Sequence, residues 1–403
     1  MGEEFSITNN YDEFNNFEAV KINYSNSRNE FAELTVANYG LLFENGIQIQ
    51  AAGCFEHHGY RALFKGTDED IPFDIFSATF YLLSRYEEYL PHTLDMYGRY
   101  AHENSLAFKE GFLELPMINI WVKDFVKGIQ TKFPSFTIRH SPFTFLPTYD
   151  IDIAYAYKQK GLLRNAGGFL KSPSLERIKV LAGLQKDPFD TYAWLDDLHR
   201  QYQLQPIYFF LLAQKNDLYD KNILPHNRCL QQLIKKHADQ YLTGIHPSWQ
   251  SGDNFLLMKQ EKKLMHDIIE RPVSQSRQHY IRFSLPHGYR RLIEAGITDD
   301  YSMGYGSING FRASVASSFY WYDLETEKQT ILRIHPFCFM EANSFYEQQS
   351  TPQQAYDEML HYHTTCKTIN GTLITIWHNH FFGTEKLFAG WKEVYEKFIA
   401  QVQ

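Results

Sequence analysis

Cysteine is scarce: 403 residues carry four, Cys54, Cys229, Cys338 and Cys366, scattered with no C-x-x-C and no close pair. That spacing speaks against a zinc knuckle or a disulfide framework and fits reduced thiols in the cytoplasm. Basic residues are also few, 39 Lys and Arg against 47 Asp and Glu, for a formal net charge of -8. Such a balance gives no basic footprint for nucleic acid and disfavours a strongly polyanionic ligand. Long apolar runs are missing too, so no segment reads as a membrane span. Met1-Gly2-Glu3-Glu4-Phe5-Ser6 lacks the basic stretch followed by an apolar one that a secretory signal needs. The same residues fit the M-G-x-x-x-S acylation pattern, a short motif that chance explains. A cytoplasmic location is the expectation, and oligomeric state is not legible.

Aromatic residues are what the chain has in quantity: 27 Tyr, 32 Phe and 6 Trp, with hydrophobic residues at 44%. This is the composition of a globular protein with an aromatic-rich interior or groove. At about 150 residues per domain, the length implies two or three units. Residues 1–138 read as a small α+β domain. In it Ile47-Gln48-Ile49-Gln50 alternates as a strand would, and helices are expected from Ile75 to Tyr89 and from Ile118 to Ile129. Over residues 139–403, apolar extended runs alternate with amphipathic helices. The runs are Phe143 to Tyr149, Pro206 to Leu212, Leu242 to His246, His279 to Phe283, Ser302 to Tyr305, Ile331 to Phe337 and Thr372 to Trp377. Helices are expected over Asp190 to Tyr202, His226 to Tyr241, Phe255 to Glu270 and Pro352 to Thr368. This alternation predicts a parallel sheet with helices outside, and its seven strands favour an α/β barrel, (β/α)7.

In such folds the site lies at the carboxyl ends of the strands. Asp150 and Asp152 end the first run, His246 ends the third and His378 follows the last. Side chains at i and i+2 of an extended segment point the same way, so the two carboxylates can share one pocket. Two anions so close repel, and a bound cation or a retained proton relieves them. The bland alternative for the pair alone is a solvated turn closing a strand. Three independent groups at strand ends favour the functional alternative.

Taken together these residues resemble the polysaccharide deacetylase family, the NodB-homology enzymes also called carbohydrate esterase family four. Thr148-Tyr149-Asp150-Ile151-Asp152 resembles its first motif, T-F-D-D-G, with Ile151 between the acids, as in a bacterial branch with an extra N-terminal domain. Gly244-Ile245-His246-Pro247-Ser248-Trp249 resembles the second motif and Ile374-Thr375-Ile376-Trp377-His378-Asn379 the closing one. The resemblance covers roughly residues 140 to 385. It implies an irregular barrel of that family's type and hydrolysis of an N-acetylated sugar. In that scheme Asp150 is the base, Asp152 and His246 hold a divalent metal such as zinc, and His378 is the general acid. Trp249, Trp377 and Asn379 are then expected to face the carbohydrate.

Where the family has a second His, four residues past His246, this chain has Gln250. Gln is a poor ligand for a transition metal, so His279 of Ser276-Arg277-Gln278-His279-Tyr280 is the expected replacement. The same segment aligns with a motif whose Arg orients the base, which puts Arg277 at the base or the substrate. Arg312, in Gly310-Phe311-Arg312-Ala313-Ser314, is expected to reach inward as a catalytic group. The Arg271, Arg277, Arg282, Arg290 and Arg291 cluster suggests a nucleotide- or carrier-linked sugar, and Glu341 is a weaker candidate. His57-His58, His361-x-His363 and His335 are read as structural. The alternative from another class is a catalytically silent carbohydrate-binding or scaffold protein on the same fold, and a third possibility is a hydrolase of another amide or ester.

Overall fold

A computed structural model describes residues 5–25, 34–138, 141–171 and 173–402. Most of the Met1–Ser6 acylation pattern, and residue 139 at the expected domain boundary, therefore lie outside the described residues. Four short strands come first: β1 (Ile22–Asn23), β2 (Leu34–Thr35), β3 (Cys54–His57) and β4 (Tyr60–Leu63). Nine more follow: β5 (Thr144–Ile151), β6 (Ile207–Leu211), β7 (Leu242–His246), β8 (Gln275–Ser276), β9 (Asp299–Asp300), β10 (Phe319–Asp323), β11 (Lys328–Ile334), β12 (Phe339–Met340) and β13 (Thr372–His378).

These nine form one sheet in the order β10-β11-β9-β8-β7-β6-β5-β13-β12, parallel throughout except for the β10–β11 hairpin. Both faces are covered, so β6 is buried at all five positions and β13 at all but its first. Helices Arg228–Ala238, Phe255–Ile269 and Pro352–Thr368 start where the side chains of Asn227, Asn254 and Thr351 accept orphan backbone N–H groups. Among the described residues no helix is long and apolar enough to cross a membrane.

The strand ladder does not close into the expected seven-stranded barrel. The stretch from β11 to β12 switches neighbours at Pro336, which has no N–H to give a ladder. On one side His335 N bonds Asp300 O and Phe337 N bonds Met303 O; on the other, Cys338 N bonds Ile374 O. The sheet is thus curled and joined through a seam. That seam is covered from outside, where Gly310 N donates to Cys338 O and Asn309 Oδ1 accepts Met340 N, while Phe311 N donates to Leu113 O.

Two expected strands are displaced. His279–Phe283 is no strand, because Tyr280 and Ile281 both take positive φ, and the ladder there is Gln275–Ser276. Ser302–Tyr305 likewise gives way to Asp299–Asp300. Residues 47–50 form no strand, and the helix from Ile75 stops at Leu83, with Arg85 left-handed before a short turn over Tyr86–Tyr89. The second N-terminal helix runs Met117–Lys132. Buried apolar residues of the N-terminal region, such as Trp121 and Phe73, belong to the same continuous cluster as those of the sheet.

Candidate functional site

Asp150 lies near the end of β5 and Asp152 just past it, both on the side of His246, whose Nε2 is 3.8 Å from Asp150 Oδ2 and 3.1 Å from Asp152 Oδ1. Arg277 is fully buried and fixes the first acid: its Nη1 donates to Asp150 Oδ1 (2.9 Å) and Thr148 Oγ1 (2.7 Å). Its Nε donates to the Tyr301 carbonyl, and the guanidinium lies 4.5 Å from the Phe209 ring centroid. Asp150 thereby keeps one oxygen committed and the other facing the cluster.

Asp152, His246 and His279 offer donor atoms all within 4.8 Å of one another. The chemistry of this set fits a divalent cation. His246 Nδ1 donates to the Arg277 carbonyl (2.6 Å), and His279 Nδ1 donates to the Asp220 carboxylate (2.9 Å). With Nδ1 of each ring bonded on the far side, both Nε2 atoms face Asp152, His246 Nε2 at 3.1 Å from Oδ1 and His279 Nε2 at 3.3 Å from Oδ2. A carboxylate facing two imidazole nitrogens needs positive charge beside it, which a proton on Nε2 or a cation bound in its place supplies. Burial alone would push His279 down, but Asp152 and Asp220 push it up to about 9. Burial would raise Asp152, yet His279, His378 and His246 hold it well below the usual carboxylate range. Its side chain is 19% exposed, so the set is open to solvent.

His378, at the end of β13, stands on the third side, its Nε2 3.3 Å from Asp152 Oδ2. Its Nδ1 and its backbone N both meet Glu341 Oε1, at 2.6 and 2.7 Å. Burial works against a charged imidazole here, but Glu341 and Asp152 outweigh it and hold His378 well above its ordinary value. Burial pushes Glu341 up, with His378 pulling the other way. The neighbouring His380 is pushed down to about 3 by burial and by His378, so it stays neutral.

The structure thus brings together Asp150, Asp152, His246, His279, Arg277 and His378. Four other expected residues stand elsewhere. Arg312 does not face the cluster: Nε and Nη2 make a two-point pair with Glu88 (2.9 and 2.6 Å), and Nη1 donates to the Gly304 carbonyl. Trp377 is fully buried among Phe339, Phe382, Trp391 and Tyr395, on the face of β13 opposite His378. Asn379 uses its Nδ2 on the carbonyls of Ile153 and Phe189 and so braces loops instead of facing a sugar. Trp249 is near the mouth, but Tyr219 stacks on it at 3.9 Å and the Arg282 guanidinium lies 4.5 Å from its ring centroid.

Gln250 is not in the donor set. Its Nε2 donates to Asp220, the acid that orients His279, and to the Lys215 carbonyl. Sequence reasoning missed Asp220 altogether, since it lies in a loop well past β6 with no periodic pattern. The arginine cluster is dispersed: Arg271 serves Ala238 and Asp239, and Arg290 serves Asp323 and Glu325. His335 is held by Ser318 and Asp299, and the rings of His57 and His58 stack on each other.

Residues 1–134 match a family model described as a family of unknown function, DUF7033. No curated protein matches the sequence. Among solved structures, a candidate polysaccharide deacetylase from Mycobacterium smegmatis is similar over 66% of this chain and 86% of its own, at 12% identity and a TM-score of 0.42. A polysaccharide deacetylase from Bacillus cereus is similar over 65% and 88%, at 11% identity and a TM-score of 0.33. A mutant of a CE4-family pseudoenzyme with restored enzymatic activity is similar over 65% and 62%, at 7% identity and 0.34. At such identities and scores these neighbours assign no role to any residue of this chain.

Proposed function

We propose that this chain is a metal-dependent hydrolase that removes acetyl groups from an N-acetylated sugar or glycan precursor. The observation that carries the reading is the convergence, around one carboxylate, of an Asp152/His246/His279 set with donor atoms close enough to hold one cation, an arginine-fixed acid and a charged histidine. A divalent ion such as zinc, bound there, would supply Lewis-acid polarisation of an acyl oxygen and of water.

The chain's own groups then divide the proton traffic. Asp150, pinned through Oδ1 by Arg277, presents Oδ2 to take a proton from the attacking water. His378 stores a proton on Nε2, because buried Glu341 at Nδ1 stabilises the imidazolium, and can give it to the departing amine nitrogen. An amide nitrogen leaves poorly unless protonated, so an acid with a raised pKa suits it. Asp220 and the Arg277 carbonyl fix which ring nitrogen of His279 and His246 carries the proton. Half-buried Tyr97, Tyr219, Trp249 and Tyr280 gather beside His279, a polar-aromatic rim suited to a carbohydrate. A carbohydrate carrying an N-acetyl group is the substrate class proposed.

Acetate release from N-acetylglucosamine and its oligomers, with zinc and after chelation, tests the reading. Release that needs the metal is expected. Tight sugar binding without release under any metal would instead favour the silent carbohydrate-binding alternative.

A further inference from the structure

The turn Asp95–Arg99 lies in the N-terminal region, yet it ends on the loop that carries His279. Asp95 builds the turn, its Oδ1 accepting the N–H groups of Tyr97 and Arg99 (2.9 Å each) and its Oδ2 accepting Arg99 Nε (2.6 Å). Gly98, at φ +72°, completes it. Held this way, buried Arg99 donates from Nη1 to the Tyr280 carbonyl at 2.8 Å, with its guanidinium 4.7 Å from the Tyr97 ring centroid. The route is kept open by Gly306, where a Cβ would stand 2.0 Å from Arg99 Nη1 and 3.0 Å from the Tyr280 carbonyl oxygen.

The carbonyl that Arg99 holds belongs to an unusual stretch. Tyr280 and Ile281 have φ of +58° and +55°, left-handed conformations that bulky and β-branched residues rarely keep without support from their surroundings. His279 directly precedes them. The His279 carbonyl accepts the Arg282 N–H and the Gln278 carbonyl the Ile281 N–H across the same turn, so a relaxed Tyr280 peptide would shift the backbone that carries the His279 ring.

We propose that Arg99 is a positioning residue for metal binding: through the Tyr280 carbonyl it holds the left-handed loop that aims His279, so the N-terminal region sets the affinity of the metal site. This inference rests on the metal-site reading above. Outer groups that orient a ligand are worth ~10- to 100-fold in metal affinity.

The test is cobalt(II) titration of the full chain, read by ligand-field absorption and by chelator competition, with no turnover involved. Arg99→Met is expected to bind ~10- to 100-fold more weakly with an altered spectrum, and Arg99→Lys to recover part of the loss. Gly306→Ala, which crowds the guanidinium, should shift affinity the same way and carries the test if Arg99→Met does not fold. Asn119→Ala removes bonds to Ser317 and Ala316 across the same junction and should bind as the parent does. Parent-like cobalt binding in both the folded Arg99 and Gly306 variants would overturn the inference, and so would an equal loss in Asn119→Ala. A parent that takes up no cobalt would instead bring down the metal reading itself.

Discussion

Arg277 and Arg312 are both fully buried, each has its guanidinium 4.5 Å from a phenylalanine ring centroid, and each pairs with a buried carboxylate. The resemblance ends at the carboxylate. Glu88 gives both oxygens to Arg312 and one of them also to Arg85, so neither oxygen is left uncommitted. Asp150 gives one oxygen to Arg277 and leaves the other toward His246 and Asp152. A saturated pair welds the N-terminal region to the sheet, whereas an unsaturated one holds a reactive group in place. From sequence both are arginines in polar loops; only the geometry of the partner separates them.

Asp150→Asn preserves shape but removes the proton acceptor, and acetate release should fall ~100-fold or more while cobalt binding and the melting curve stay near the parent's. A variant with parent-level release would show that the free oxygen does nothing. In the other pair, Glu88→Gln leaves Arg312 and Arg85 as buried cations without their shared anion, and should cost about 3–5 kcal/mol of stability in denaturant titration. The folded fraction of that variant should still release acetate; loss of turnover without loss of stability would erase the distinction.

A subtler test sharpens the role of buried pairs at the site. His378 is held above its ordinary pKa, so its proton is present through neutral pH and lost as pH rises past that raised value, which gives the rate an alkaline limb. Glu341→Gln removes the anion that helps raise it, so the limb should move to lower pH with the acidic side unchanged. A pH–rate profile of kcat checks this, and an unmoved limb would assign the alkaline step to another group.

How much of this was legible follows from where each residue sits. Asp150, Asp152, His246 and His378 terminate long apolar runs, and a run of five or more buried residues announces both a strand and its end. Gln275–Ser276 and Asp299–Asp300 are two-residue strands, too short for any periodicity, so the strand signal falls on the neighbouring apolar segments, and nothing local marks the left-handed turn after His279. Strand alternation alone places Trp377 opposite His378, which is why it packs in the core instead of facing a sugar. Asp220 and the true partner of Arg312 are tertiary facts: nothing local in either segment says which distant charge it will meet.

The seam at Pro336 carries a consequence for association. An interrupted strand normally bares N–H and C=O groups that a second chain can adopt as a template. Here the Cys338 carbonyl is taken by Gly310 N and Met340 N by the Asn309 side chain, while Leu113 of the N-terminal region pins the loop between them. The groups that a broken strand would offer a second chain are thus filled from within this one, by the 309–311 loop that Leu113 holds in place.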